Sequence, residues 1–168
     1  MSMRPLSDFD DTQCSYLLRT IELAAEALED GDEPFGSVLV DPSGLVLFED
    51  RNRVKGGNHT RHPELEIARW AGENLDAEQR AACTVYTSGE HCPMCAAAHA
   101  WVGLGPIVYV AGTHELQQWH VEWGIAAGPV RPLSIDQVTT ALTVSGPVPE
   151  LLPKVRALHA QLHGIDEP

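Results

Sequence analysis

Nowhere in these 168 residues do eighteen apolar residues follow one another, so no stretch reads as a membrane-spanning helix. Cations are scarce: 11 Lys and Arg stand against 24 Asp and Glu, a formal net charge of -13. Such a surface repels a duplex, a transfer RNA or an anionic membrane unless its few cations cluster, which makes nucleic acid an unlikely partner. The opening residues MSMRPLSDFDD hold neither an apolar run nor a basic leader, and the chain is expected to be soluble and cytoplasmic. Internal repeats and low-complexity tracts are missing too. Cysteine is sparing, with four in all, and in a reducing compartment these read as thiols or metal ligands, not as a disulfide framework. What is present is 43% hydrophobic content over the length of one compact domain, so a single domain over 1–168 is expected.

Periodicity supplies the elements. In residues 14–29, Leu17, Leu18, Ile21, Ala24, Ala25 and Leu28 recur at three- and four-residue spacing and Gly31 follows as a stop, which predicts an amphipathic helix. GSVLV and GLVLFE, parted by the turn-forming DPSG, predict a hairpin of strands 36–40 and 45–49. Segments 63–73 and 93–102 predict helices with proline at the first position, and 84–87 and 107–110 predict short buried strands. Strands alternating with helices imply an α/β sandwich containing parallel pairs. Residues 113–128 show no decisive period. Beyond them 128–130 is expected to lead a last strand, 134–142 to form a helix capped by Ser134, and 148–162 to form a closing helix.

Chemistry concentrates in TSGEHCPMC, where Cys92 and Cys95 stand three apart. Such a pair serves redox exchange, half of a four-thiolate zinc site, or two ligands of a mixed Cys/His site. The remaining cysteines, Cys14 and Cys83, are far from each other in sequence, which weighs against four thiolates. A redox pair is expected after the first strand of a βαβ unit, whereas here a hairpin and a helix come first. The mixed reading finds its histidine in NHTRHPELEIARW, where His62 precedes Pro63 and Glu64. Both fragments start a helix with proline, so two helix N-termini could face one ion and favour Cys92 and Cys95 as thiolates. Three protein ligands leave zinc one open position, the mark of a catalytic site.

His-x-Glu followed about thirty residues later by Cys-x-x-Cys resembles the zinc deaminase signature. The chain is similar to the cytidine deaminase superfamily, and within it to the guanine deaminase and tRNA-adenosine deaminase-like branch. The likeness runs over about residues 14–112 and includes DGDEPFGSVLV, RNRV, HPELEIARW and VYTSGEHCPMC. It implies a three-layer α/β/α sandwich on a mixed five-stranded sheet, with Zn2+ held by His62, Cys92 and Cys95 and a water in the fourth position. Glu64 would carry protons from that water to a ring nitrogen and to the departing amine, releasing ammonia from a small heterocyclic base. A zinc-binding core at about 14–112 and a pocket-covering, dimer-forming segment at about 113–168 are implied as well, in a homodimer.

The resemblance also suggests what holds the base. Asn52 matches an asparagine that bonds the base edge, and Phe35 lies where an apolar wall is common. Glu90 and His91 flank the ligands. Glu115 and Glu122 are candidates for an acidic proton carrier, and Trp119, His120 and Trp123 for a stacking surface. Plainer roles stand beside each: Asn52 in a turn, Phe35 in the core, Glu90 and His91 in a solvated loop, and the tryptophans on a buried face or a dimer contact. His114, His120, His159 and His163 are expected to face solvent or core.

Two departures from the family pattern matter. Its motif is His-Ala-Glu, and the middle residue's N–H donates to a carbonyl of the bound base; Pro63 has none. A substrate relying on that bond would keep an unpaired acceptor at a cost of about 1–3 kcal/mol, which favours a base with a different edge there, such as an oxidised, aza or triazine base. His91 replaces the family's proline before the first cysteine, altering either the pocket wall or the surroundings of the ligands. Within the superfamily the alternatives are tRNA-adenosine deamination, against which the net charge of -13 argues, and nucleoside or nucleotide deamination, for which no grouped phosphate-binding cations are found; from another class, a zinc-stabilised binding module without chemistry competes, and Glu64 argues against it.

Overall fold

A computed structural model describes residues 3–166. The first helix, α1 (Asp11–Glu29), begins three residues before the apolar period does, because Asp10 caps it: the Gln13 N–H donates to Asp10 Oδ1 at 2.8 Å, and the Asp10 N–H donates to Gln13 Oε1 at 3.2 Å. Gly31, at φ 85°, stops it in the left-handed region where glycine carries no side-chain penalty. The hairpin follows as β1 (Gly36–Val40) and β2 (Val46–Arg51), then α2 (Pro63–Asn74). A short α3 (Ala77–Ala82) was not expected, although DAEQ carries its signal: Asp76 and Gln79 cap it reciprocally. Next come β3 (Thr84–Gly89), α4 (Pro93–Val102) and β4 (Ile107–Ala111).

The later chain departs further from expectation. Residues 113–128 open with a helix, α5 (Thr113–Glu122). No strand forms at 128–130; that segment is a loop, and the last strand is the two-residue β5 (Val144–Ser145). The helix expected over 134–142 shortens to α6 (Ile135–Val138), with Ser134 at its N-cap as anticipated, because only Ile135 finds a buried seat. A 3-10 turn at Pro149–Leu151 precedes the closing helix, α7 (Leu152–Leu162).

The sheet is mixed and five-stranded, ordered β2-β1-β3-β4-β5, with β1 antiparallel to β2 and β3 and with β3-β4-β5 parallel. Strand alternation sorts its side chains into two cores. Val38, Val40, Tyr86, Val108 and Val110 pack with Leu17 and Leu23 of α1, Trp119 of α5 and Val155 of α7. On the opposite face Leu39 and Val85 meet Ile67, Ala68 and Ala71 of α2. This is the three-layer α/β/α arrangement. The register places Ser37 opposite Thr87 across β1 and β3, one pair along from Val38 and Tyr86 and so on the α2 face. That pair of hydroxyls sits under the start of α2.

Candidate active site

The N-termini of α2 and α4 converge. His62 is the N-cap of α2 and Cys92 the N-cap of α4, with Pro63 and Pro93 at the first turn of each. His62 Nδ1 lies 3.6 Å from Cys92 Sγ and 3.7 Å from Cys95 Sγ, and the two sulfurs are 3.5 Å apart. Bonds of about 2.3 Å to sulfur and about 2.0–2.1 Å to nitrogen, at tetrahedral angles, require edges of about 3.8 and 3.6 Å. The trio therefore fits one face of a zinc tetrahedron. It is also the one group of three or more His, Cys, Asp or Glu among the described residues that could hold a metal ion. All four cysteines are free.

Electrostatics prepare the same donors. The Cys92 thiol is pushed down to about 4, first by the hydrogen bond from Cys95 and then by His62, which puts it in the thiolate form at neutral pH. Cys95, fully buried and donating to Cys92, is pushed up. His62 is raised, chiefly by its bond with Cys92. A soft S/S/N donor set of this kind suits zinc.

Glu64, buried in the first turn of α2, is fixed by the sheet beneath it. Ser37 Oγ donates to Glu64 Oε1 at 2.9 Å, and Thr87 Oγ1 donates to the same oxygen at 3.0 Å. Burial raises its carboxyl above the ordinary carboxylate range. Neither hydroxyl was singled out in the sequence. Their signal lies in the strand pairing, which a single chain does not display.

His62, Glu64 and Cys92 open onto a cavity of about 330 Å³. Phe35 forms part of its wall, and Gly89 lets the ring approach, since a Cβ there would lie 2.8 Å from Phe35 Cε1. His159 of α7 lines the cavity too, edge-on to Phe35 with ring centroids 5.0 Å apart, and burial lowers its pKa to about 3. Its place at a pocket wall was missed because nothing in the spacing of α7 ties it to residues 35–95. Asn52 is fully buried: its N–H donates to the Phe35 carbonyl at 3.0 Å and its Oδ1 accepts from the Val54 N–H at 3.1 Å. Its Nδ2 has no hydrogen-bond partner among the described residues. Pro63 is buried and does not itself line the cavity.

The flanking residues resolve differently. Glu90 borders the cavity, but both its oxygens are engaged: Oε2 accepts from the Thr113 N–H and Oε1 from the Ile135 N–H, each at 2.8 Å. One carboxylate thus ties together the first residues of α5 and α6. His91 turns inward, fully buried against His99 with centroids 5.2 Å apart, and is held well below the usual imidazole range by burial. It borders the ligands from the core side and not the cavity.

On α5 the cavity meets Thr113, Leu116, Gln117, His120 and Val121. The other side of the helix carries the remaining sequence candidates. Glu115 Oε2 accepts from the Gly112 N–H at 3.0 Å, Glu122 pairs with Arg156 at 2.8 Å, and Trp119 and Trp123 pack toward α7. Glu115, Trp119, Glu122 and Trp123 are not among the cavity-lining residues. The physical reason is helical geometry: 116, 117, 120 and 121 share a face that 115, 119, 122 and 123 do not.

Fold and site together define a zinc-dependent hydrolytic deaminase, and residues 11–111 match the cytidine and deoxycytidylate deaminase zinc-binding region. The chain belongs to that family. It is 32% identical over 117 residues to a probable cytosine deaminase of Schizosaccharomyces pombe, covering 69% of this chain and 68% of that one. A guanine deaminase of Bacillus subtilis is 37% identical over 99 residues (58% and 63%), and a tRNA-specific adenosine deaminase of Haemophilus influenzae is 33% identical over 110 residues (65% and 62%). The chain spans less than two thirds of the length of the latter two. A guanine deaminase from Nitrosomonas europaea shares the fold at a TM-score of 0.65 and 22% identity, over 97% of this chain and 88% of that one. Among the described residues no helix is long and apolar enough to cross a membrane.

Proposed function

We propose that this chain deaminates a free nucleobase or base-like amino-heterocycle, releasing ammonia. One observation carries the reading: the cavity that holds His62, Cys92 and Glu64 has no Lys or Arg among its lining residues. A nucleotide or a tRNA brings phosphates that need such cations. The net charge of -13 points the same way.

In this reading His62, Cys92 and Cys95 hold zinc, which when bound supplies the Lewis acidity that makes water nucleophilic at neutral pH. Glu64 moves the protons: it takes one from water and delivers it to a ring nitrogen, then takes a second from the hydroxyl now on the ring carbon and delivers it to the departing amine, so that the C–N bond breaks as the carbonyl forms. Ser37 and Thr87 hold its Oε1, so the carboxylate does not have to find its place at each turnover. Phe35 and His159 wall the ring. Asn52 is not among the cavity-lining residues and supports the wall from behind, through its N–H bond to the Phe35 carbonyl. Pro63, which has no N–H to offer, is not among the cavity-lining residues and does not select between bases. The homodimer belongs to the same proposal and is read by light scattering.

Ammonia release by zinc-loaded protein over guanine, cytosine, adenine, their ribosides, isoguanine, 5-azacytosine and ammeline tests the reading. Free bases are expected to be turned over in preference to ribosides. Glu64→Gln is expected to lower kcat by about 10²–10⁴ while retaining zinc. Fastest turnover of adenosine within a tRNA anticodon stem would overturn it.

A further inference from the structure

The cavity is larger and less polar than a bare base needs. A guanine-sized ring system occupies on the order of 150 Å³ at protein packing density, whereas the cavity measures about 330 Å³. The surplus is bounded by aliphatic groups from one stretch of chain: Leu116, Val121, Ile125, Val130, Pro132 and Leu133. Three polar side chains, Thr113, Gln117 and His120, stand among them; Gln117 Nε2 is spent on the Pro132 carbonyl at 3.0 Å, and His120 packs edge-on to His163 at 5.4 Å. A bare purine or pyrimidine carries nitrogen or oxygen on nearly every edge, and the six aliphatic side chains offer those atoms no partner. Val121 and Val130, 81% and 62% exposed, leave apolar surface at the same place.

Resting on the deaminase reading, we propose that the physiological substrate is an amino-heterocycle bearing a branched-alkyl or similarly bulky apolar substituent, seated against residues 116–133. The aliphatic wall is continuous with the reacting end, since one cavity holds both Glu64 and Val130. It is also tethered at two points within the chain, by Gln117 to Pro132 and by Glu90 to Ile135. Specificity then divides between two ends of one pocket. Polar groups near Glu64 read the amidine, and the aliphatic wall reads the substituent.

Matched pairs on two scaffolds test this: ammeline against N-isopropylammeline, and guanine against 8-isopropylguanine. Each pair is measured by ammonia release with the zinc-loaded enzyme and by calorimetric binding to Glu64→Gln. Each buried methylene is worth roughly a factor of four, so the alkylated member of at least one pair is expected to bind and react about ten to a hundred times better than its parent. Val130→Asp, an exposed substitution that leaves the core alone, is expected to bring that ratio close to one. A ratio at or below one on both scaffolds overturns the inference while leaving base deamination standing wherever the parents react. Tighter alkyl binding with no ammonia from any base keeps the aliphatic subsite and sinks the base-deaminase reading instead. A ratio unchanged in Val130→Asp, with loss of a dimer, assigns the apolar wall to a second copy and overturns the inference.

Discussion

Residues 36–112 and residues 113–162 build the two sides of one cavity by different means. In the first stretch β1 and β4 are buried along their whole length, two proline-started helices aim their N-termini at one point, and a hydroxyl from each of two paired strands fixes the carboxylate. The second stretch has a ten-residue helix with one buried side chain, a four-residue helix, a two-residue strand and the closing α7, which buries Val155, His159 and Ala160. Its two longer helices are seated by Trp119 and Val155 in the α1 core, and its loops are held by single hydrogen bonds, notably those of Glu90 to Thr113 and Ile135. Reaction geometry is thus set by regular elements, and the aliphatic wall by pinned loops that can change without moving a ligand.

Metal removal should separate the two most. Zinc binding to the native chain alone contributes about 4 kcal/mol at a thousandfold excess over Kd, so stripping it is expected to lower Tm by on the order of 10 °C in a chain of this size. Hydrogen exchange should show the loss of protection first at the N-termini of α2 and α4, where His62, Cys92 and Cys95 meet. Equal loss across α5 and α7 would mean the two stretches form one cooperative unit, and the comparison would fail.

The hydroxyl clamp is next. Ser37→Ala and Thr87→Val each remove one donor to Glu64 Oε1, and each is expected to lower kcat by about ten- to a hundredfold with little change in KM. A matching rise in KM would mean the hydroxyls shape the pocket and do not aim the carboxylate.

These two residues also mark where the sequence stops being informative. His62, Glu64, Cys92 and Cys95 stand out because helix starts and metal ligands are local patterns, and the helices carrying them fall within one residue of expectation. Ser37 and Thr87 are fifty residues apart and meet only through strand register. Which face of α5 looks at the cavity is likewise set by Trp119 packing into the α1 core, a tertiary choice that selected Leu116 and His120 over Glu115 and Trp123. Between residues 123 and 148 the elements are too short for periodicity to act. The strand expected at 128–130 is a loop, and β5 lies sixteen residues further on. His159 reaches the pocket by the packing of α7, for which the chain carries no local mark.

Glu90 joins the two sides, and Glu90→Ala should loosen one against the other. It leaves the Thr113 and Ile135 N–H groups without their acceptor, at an expected cost of about 1–3 kcal/mol in a urea titration. Zinc content should stay at wild type while KM rises. Loss of zinc in this variant would show that the carboxylate supports Cys92 directly and that the two sides are not separable.

The smallest effect compares one buried histidine from each side. Burial pushes His99 of α4 down to about 4 and His159 of α7 down to about 3, while in the unfolded chain both titrate near about 6.5. Below about pH 6.5 the unfolded chain binds protons that the folded chain refuses, so this stability is complete above that pH and is lost as pH falls toward the folded values. The slope is at most about 1.4 kcal/mol per pH unit for each histidine. Urea midpoints at several pH values between about 7.5 and 5, for wild type and for His99→Leu and His159→Leu, should show each variant flatter by one such slope; zinc release is common to all three and cancels in the comparison. If both stretches unfold together, the two variants flatten the global transition equally. If 113–162 opens first, His159→Leu flattens only the early phase, and the wall that reads the substituent is then the less stable half of its own active site.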